Sequence, residues 1–131
     1  ILAYSPLHGG LLTGKYNRNQ PWPQDTRIST QPDVADKWPF DKEKLFSFID
    51  ELTKIAQEHQ ASVSQAAINW TLQKSGICSA IIGARNLTQL EDNLEATKWR
   101  LTEDEMARLD KLTEPERQNP YIWRLMRPDL V

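Results

Sequence analysis

The stretch Ile81–Asn93, IIGARNLTQLEDN, decides the fold that this sequence predicts. An apolar run ends at Gly83, a basic residue follows at Arg85, and Asn86 then opens a helical pattern of leucines. A strand, a short loop and a helix N-terminus in this order can hold phosphate groups, because the N–H groups and the helix dipole favour an anion. We therefore interpret the other segments as the support for this unit of an α/β fold.

Length and composition bound the class of protein. The chain has 131 residues, of which 39% are hydrophobic and 26% are charged, as in one globular unit or a piece of a larger one. No run approaches the ~18 apolar residues of a membrane span, and no signal-peptide pattern is present. Because the chain starts at Ile1 inside an apolar run, we expect a C-terminal portion of a longer protein with no membrane partner.

Charge and cysteine content exclude further classes. The formal charge is −2, with basic residues scattered among acidic ones, which argues against nucleic-acid binding because phosphate neutralisation needs clustered Lys and Arg. A helix-turn-helix around Ser62–Lys74 is rejected on the same ground. The single cysteine, Cys78, forms no internal disulfide and fits a reducing, cytoplasmic compartment. We interpret it as a small buried strand residue rather than a reactive thiol.

Two short apolar runs are predicted to be buried strands of a parallel sheet. Ile1–Tyr4 stops at Pro6, which cannot donate to a strand ladder, and Ile77–Ile82 lies between two glycines. The stretch that follows the first strand holds three glycines, which serve either a sharp turn or close approach to a ligand. These are Gly9, Gly10 and Gly14. Two strands cannot cover their own edges, so the remaining strands must come from elsewhere.

Four helices are predicted from apolar spacing and capping signals. Asp41 opens the first, which ends near Gln60. The other three start at capping-box pairs, in which one residue caps the helix and the side chain three positions later reaches back. These pairs are Ser62 with Gln65, Asn86 with Gln89, and Thr102 with Glu105. The expected apolar positions are Leu45, Phe48, Ile49, Leu52, Ile55 and Ala56, then Val63, Ala66, Ala67, Trp70 and Leu72, then Leu87, Leu90 and Leu94, and finally Met106, Leu109 and Leu112.

The chain divides into a strand with a glycine turn, a long loop, two helices, a strand with two helices, and a tail. The loop is polar and rich in proline, and Trp22 and Trp38 could pin it to a surface. The tail carries Tyr121, Trp123 and Leu125 and is expected to pack as an irregular segment. The five segments are residues 1–16, 17–40, 41–75, 77–113 and 114–131.

Both predicted strands end in glycine-containing turns, and ligands of α/β proteins gather beyond the carboxyl ends of strands. The turns could therefore wrap one anionic ligand, with the Arg85 guanidinium as a planar donor, or they could be plain connections. Gln89 could reach back as a capping partner or forward to a ligand. Asp92 and Asn93 fit either ligand contacts or a solvated helix face.

Hydrolytic and metal chemistry have little support in the sequence. His8 and His59 have no second ligand at zinc-like spacing, and His59 is interpreted as solvated or facing a helix dipole. Ser5 precedes a proline without the strand-turn-helix of a nucleophile elbow. The acidic pairs fit helix surfaces better than the paired carboxylates of a glycosidase.

Three motifs together carry a family resemblance. AYSPL at residues 3–7, GGLLTGKY at residues 9–16 and IIGARNLTQLEDNL at residues 81–94 resemble the C-terminal part of an aldo-keto reductase. The resemblance extends over Ile1–Leu112 in order and spacing. It is most similar to the subgroup of potassium-channel β subunits and bacterial stress reductases, in which GARN stands at the second turn.

The resemblance implies an eight-stranded (β/α) TIM barrel that binds NADPH, of which this chain is an incomplete, helix-dominated part. Ile1–Tyr4 would be the seventh strand and Cys78–Ile82 the eighth. Tyr4 would stack on the nicotinamide, Ser5, Leu7 and Gly9 would contact the pyrophosphate, and Lys15 would lie near the same phosphates. The adenosine end, with its 2′-phosphate, would be held by Gly83, Arg85, Gln89, Asp92 and Asn93.

The family's catalytic Asp, Tyr, Lys and His come from the N-terminal half of the barrel, and none of those motifs occurs here. We therefore expect a chain that supplies cofactor-binding residues, and no catalytic residue, to an enzyme that reduces a small carbonyl substrate. The alternative is an inactive oligomerising or nucleotide-binding module. Its exposed strand edges would pair with the missing barrel half or with another copy of the chain.

Overall fold

The computed structural model describes residues 1–21, 23–24, 26–30 and 41–114. In these ranges the chain forms two strands, one 3₁₀ segment and five α-helices. In chain order they are β1 (Leu2–Tyr4), the 3₁₀ segment His8–Thr13, α1 (Arg27–Thr30), α2 (Lys42–Glu58), α3 (Val63–Leu72), β2 (Ser79–Ile81), α4 (Leu87–Glu95) and α5 (Glu103–Thr113). The predictions for Trp22, Trp38, Tyr121, Trp123 and Leu125 lie outside the described residues.

The two strands pair in parallel, as the sequence predicted. Leu2 lies opposite Ser79, and Tyr4 lies opposite Ile81. The prediction that both faces are buried was wrong, because Leu2 is 64% and Tyr4 is 77% exposed. In the described part of the chain these strands pair only with each other. The large side chains of Leu2, Tyr4 and Ile81 are at least half exposed.

Helix α2 begins and ends where the sequence placed it. Asp41 is its N-cap, and the Asp41 Oδ1 atom accepts from the backbone N–H of Glu43 at 2.8 Å. The predicted apolar face is confirmed, with Leu52 and Ile55 fully buried and Phe46 also buried beside it. Residues 17–40, predicted as a loop, contain the four-residue helix α1.

The capping predictions hold for the N-cap residues but differ in the returning side chains. Thr102 and Glu105 form the complete reciprocal capping box at the start of α5. Ser62 caps α3 by accepting from the Gln65 N–H. The prediction that the Gln65 side chain returns to the cap was wrong, because Gln65 Nε2 instead donates to Asp92 at 2.7 Å.

The apolar core lies between α2, α3, α5 and the 3₁₀ segment. Ala66 and Ala67 of α3 are fully buried, and their small side chains allow α2 to approach closely. The stretch after β1 forms a turn and also contributes Leu11 to this core, and the buried Leu11 side chain anchors that turn. The buried members of the cluster are Leu11, Leu12, Tyr16, Phe46, Phe48, Ile49, Leu52, Ile55, Ala56, Ala66, Ala67, Leu101 and Leu109.

The third predicted helix is present as α4, but its leucines are exposed. Their exposed fractions are 66% for Leu87, 39% for Leu90 and 52% for Leu94. The large exposed apolar side chains of the described residues all lie on β1 or next to it, on β2, or on α4. We call these residues the open apolar face; they are Ile1, Leu2, Tyr4, Ile81, Leu87, Leu90 and Leu94.

Two single-residue interpretations are corrected by the structure. Cys78 is exposed and lies just before β2, where its backbone N–H donates to the Ile1 carbonyl at 2.8 Å. His59 is neither solvated nor simply at a helix dipole. Its Nε2 atom lies 2.8 Å from Oε1 of Glu105, and its ring stacks on Trp99 with centroids 4.5 Å apart.

None of the helices in the described ranges combines the length and apolarity needed to cross a membrane.

Candidate functional site

The parallel register of β1 and β2 places their following turns side by side. β1 ends at Tyr4 and β2 ends at Ile81, and these two residues are register partners. The turn after β1, Ser5–Gly10, and the turn after β2, Gly83–Asn86, therefore leave the same end of the sheet. This is the position at which α/β folds bind ligands.

The first turn is held by its own backbone in a strained conformation. Ser5 has φ 55° and His8 has φ 47°, both in the left-handed region that side chains rarely adopt. The N–H of His8 donates to the Ser5 carbonyl at 2.8 Å, and the N–H of Gly10 donates to the Leu7 carbonyl at 2.9 Å. Because these two N–H groups donate to carbonyls within the turn, they are not available to face an anion as the sequence predicted. Strain of this kind persists where the surrounding structure enforces it, often at ligand sites.

Gly10 in the first turn and Gly14 after the 3₁₀ segment have different roles. A Cβ on Gly10, where φ is 97°, would lie 3.1 Å from the Lys15 ammonium, so the missing side chain leaves room for that cation. A Cβ on Gly14 would lie 2.9 Å from Cγ2 of Val63 in α3. Gly14 therefore serves helix packing, whereas Gly10 lies next to a charged group of the candidate site.

The second turn is closed by side chains from α4. The side chain of Asn86 accepts from the N–H of Gln89 at 2.9 Å, and Oε1 of Gln89 accepts from the N–H of Arg85 at 3.0 Å. Gln89 thus reaches back, but to the residue before the cap rather than to the cap itself. No atom comes within 4 Å of a Cβ built on Gly83, so the space beside this turn is open.

Lys15 and Arg85 link the two turns electrostatically. Both residues are exposed. Desolvation by surrounding protein, and then the positive charge of Arg85, lower the pKa of the Lys15 ammonium below its ordinary value. Two cations from different turns therefore lie close enough to repel one another, and an anion between them would relieve that repulsion.

Asp92 and Asn93 do not form the solvated face that the sequence allowed. Asp92 is half-buried, and its carboxylate accepts from Ser62 and Gln65 of the α3 N-terminus at 2.8 and 2.7 Å. Asn93 is buried, with 5% exposure. The structure thus brings Lys15, Arg85 and Gln89 to the two turns and turns Asp92 towards α3.

A cavity of about 680 Å³ lies beside the first turn. Tyr4, Ser5 and Leu12 line it together with residues of α2, α3 and α5, among them Phe48 and Trp70. From their spacing, Phe48 and Trp70 were expected only as apolar core positions of their helices. A core position and a cavity wall have the same helical spacing, so no signal in the sequence could have identified this role.

The profile of the Aldo/keto reductase family matches residues 1–114, and the chain belongs to this family. The resemblance inferred from the motifs is thereby confirmed. Among solved structures, the glycerol dehydrogenase AKR11B4 from Gluconobacter oxydans superimposes with a TM-score of 0.66 at 32% identity, covering 91% of this chain and 36% of that one. The two parallel strands and their helices are consistent with part of that protein's fold.

Curated relatives support the same family and the same subgroup. Aldo-keto reductase str7 from Strobilurus tenacellus is 36% identical over 115 residues, covering 87% of this chain and 33% of the relative. A putative voltage-gated potassium channel subunit beta from Schizosaccharomyces pombe is 32% identical, covering 84% and 33%. L-glyceraldehyde 3-phosphate reductase from Escherichia coli K12 is 33% identical, covering 84% and 32%. The chain spans about a third of the length of these relatives.

Proposed function

We propose that this chain forms the cofactor-binding C-terminal portion of an NADPH-dependent aldo-keto reductase. The observation that carries the proposal is the pairing of β1 with β2, which sets two turns and two cations, Lys15 and Arg85, at one end of the sheet. The donor set fits phosphate, because phosphate oxygens accept hydrogen bonds from an ammonium and a guanidinium and carry the opposite charge.

The first turn would hold the nicotinamide and pyrophosphate end of the cofactor. Tyr4 is 77% exposed at the end of β1, which leaves most of its side chain accessible to a ligand. Ser5, Leu7 and Gly9 follow it in the turn, and each is half-buried. Lys15 returns to this turn beside Gly10 and would neutralise phosphate charge.

The second turn would hold the adenosine end. Gly83 and Arg85 are exposed, and the open space beside Gly83 would admit a ligand close to the backbone. Gln89 uses its carbonyl oxygen on the Arg85 N–H, so its amide NH₂ group would be the part that donates to the 2′-phosphate. Arg85 would supply a multi-donor cation for the same group.

The bound cofactor would supply a hydride to an aldehyde or ketone. This chain's residues would bind and orient the cofactor, and we assign none of them to catalysis. The proton donor and the carbonyl pocket would come from the remainder of the barrel. We place the remainder of the barrel against the open apolar face on β1, β2 and α4. The complete enzyme would be cytoplasmic.

Arg85→Ala tests the proposal with a pair of simple ligands. We expect the chain to bind 2′,5′-ADP more tightly than 5′-AMP, which lacks the 2′-phosphate. Arg85→Ala should lower this preference by about 10- to 100-fold, because a hydrogen bond to a charged group contributes ~1.5–3 kcal/mol. The matched control is Arg100→Ala, since Arg100 is exposed and follows α4, whereas Arg85 precedes it.

An unchanged ratio in Arg85→Ala, or equal binding of the two ligands by the unaltered chain, would overturn the 2′-phosphate assignment. Carbonyl-dependent NADPH oxidation by the isolated chain would contradict the absence of catalytic residues. Isothermal calorimetry measures the binding of the two ligands, and the absorbance of the reduced nicotinamide measures NADPH oxidation.

The second candidate function is an inactive assembly module. The open apolar face favours it, because exposed strand edges and apolar side chains promote association. Under this proposal the chain is a dimer or larger by light scattering at micromolar concentration. A monomer at that concentration would exclude it.

A further inference from the structure

Thr13 bonds to the first turn at the point where the Lys15 side chain returns to it. Oγ1 of Thr13 donates to the Gly10 carbonyl at 2.8 Å. The backbone then reverses at Gly14, where φ is 76°. The Lys15 side chain folds back, so that its ammonium lies 3.1 Å and its Cε 3.6 Å from the position that a Cβ on Gly10 would take. Gly10 therefore has Thr13 bonded to its carbonyl and Lys15 next to its α-carbon.

The hydroxyl of Thr13 restrains the most flexible part of this segment. Gly9 has φ 66° and Gly10 has φ 97°, so two successive glycines interrupt the helical conformation of the 3₁₀ segment. Glycine loses more conformational freedom on folding than any other residue, because it lacks a Cβ. A hydrogen bond to the Gly10 carbonyl fixes the direction of that peptide group. It thereby fixes the backbone against which Lys15 lies.

The Lys15 ammonium is held by the protein but stays accessible to a ligand. Lys15 is exposed, and its Nζ lies 5.2 Å from the centroid of the Tyr16 ring. Tyr16 is buried in the core with 3% exposure, which anchors the backbone directly after Lys15. In the described part of the chain the ion pairs use other cations. The charge of Lys15 is therefore placed between two fixed points, Thr13 and Tyr16, with room for an anion.

We propose that Thr13 is a positioning residue for the Lys15 ammonium at the pyrophosphate-binding turn. This inference rests on the proposed function, in which Lys15 neutralises phosphate charge. Thr13 acts through Lys15 and does not itself contact the cofactor, because its part-buried hydroxyl donates to the Gly10 carbonyl. The preference for a diphosphate then depends on a hydroxyl group that the diphosphate does not contact.

Thr13→Val tests the proposal, because valine keeps the branched shape of threonine and lacks the hydroxyl. Thr13→Ser keeps the hydroxyl and should retain the bond to Gly10. The matched control is Thr53→Val, since Oγ1 of the part-buried Thr53 donates to the Ile49 carbonyl at the same distance, 2.8 Å, in α2. The probes are 5′-ADP and 5′-AMP, which differ by one phosphate group. The ratio of their affinities measures the preference for a diphosphate.

Binding is measured on the full 131-residue chain. We expect the unaltered chain to prefer 5′-ADP, and Thr13→Val to lower this preference about fivefold, the loss expected for one hydrogen bond. Thr13→Ser and Thr53→Val should keep the preference. Lys15→Met should remove it, and in that background Thr13→Val should lower it no further, because both changes act on the same cation.

The second readout is a nuclear magnetic resonance titration of the Lys15 side chain without ligand. Desolvation, and then the charge of Arg85, lower the pKa of Lys15 in the unaltered chain. Thr13→Val should raise this pKa towards its ordinary value, since an ammonium that is no longer held at the turn moves into water. Thr13→Ser and Thr53→Val should leave the pKa of Lys15 unchanged.

The outcomes separate this inference from the function on which it rests. A loss of preference that is equally large in the Lys15→Met background would mean that Thr13 does not act through Lys15, and the inference fails. An equal loss in Thr13→Ser, or an unchanged preference and pKa in Thr13→Val, would also overturn it. If the unaltered chain binds both probes equally, or Lys15→Met keeps the preference, the proposed role of Lys15 fails, and the titration alone decides whether Thr13 positions it.

Discussion

Replacement of Gly14 by alanine is expected to destabilise the chain because of the backbone and the neighbouring helix together. Gly14 has φ 76°, and a Cβ there would lie 2.9 Å from Cγ2 of Val63 and 3.2 Å from its Cβ. A left-handed conformation costs a residue with a Cβ ~1–2 kcal/mol. Overpacking against a fixed neighbour adds ~1–3 kcal/mol. We expect Gly14→Ala to lower the free energy of unfolding by roughly 2–5 kcal/mol.

The assay is urea unfolding followed by circular dichroism, with Gly83→Ala as the matched control. Gly83 has no positive φ, and nothing lies within 4 Å of a Cβ there, so that change should stay within ~0.5 kcal/mol. In a Val63→Ala background the 2.9 Å contact to Cγ2 is removed and only the 3.2 Å contact to Cβ remains, so Gly14→Ala should cost less there than in the unaltered chain. Equal stability of Gly14→Ala and Gly83→Ala would refute the reasoning. An unchanged cost in the Val63→Ala background would refute its steric half.

The remaining predictions concern the α2–α5 contact, the core and the open apolar face. Burial raises the pKa of Glu105, but hydrogen bonds from Thr102 and His59 outweigh it and leave the pKa below its ordinary value of 4.5. Because the folded pKa is the lower one, this contribution is present above pH 4.5 and is lost as the pH falls through the folded pKa. In urea unfolding, Glu105→Gln should therefore lower the free energy of unfolding by ~1–2 kcal/mol at pH 7, and by less as the pH falls to 3. A loss of the same size at every pH would contradict this prediction. Leu109→Ala should cost ~2–5 kcal/mol in the same assay, since Leu109 is fully buried. Leu94→Ala should stay within ~0.5 kcal/mol because Leu94 is half exposed, and equal losses would argue against the described core. Leu94→Asp should lower the average mass in light scattering if the chain associates through the open apolar face, and an unchanged assembly would place the contact elsewhere.

Short-range interactions were predictable from the sequence alone. The N-caps Asp41, Ser62, Asn86 and Thr102 all cap the helices that were expected to start there. Capping involves a side chain and an N–H group only two or three residues apart, so a short window of sequence contains both partners. The buried face of α2 was predictable for a related reason, because its spacing follows directly from helix geometry.

Interactions between residues far apart in the chain were decided only by the tertiary structure. Gln65 satisfies Asp92, 27 residues away, instead of its own cap, and His59 pairs with Glu105, 46 residues away. The sequence offers each of these side chains a plausible local role. Only packing decides that α4 brings the Asp92 carboxylate to Gln65 and that α5 brings the Glu105 carboxylate to His59.

The degree to which the strands and α4 are buried also could not be predicted from the sequence. Apolar runs such as ILAY predict strands covered on both faces, but coverage depends on which elements lie against them. The motif Ile81–Asn93 by itself determined a strand, a turn and a capped helix, and with its companion motifs it indicated the family. Tertiary structure decided that the turn lies beside Lys15 and that Asp92 faces α3, because both follow from parallel pairing and helix packing between distant segments.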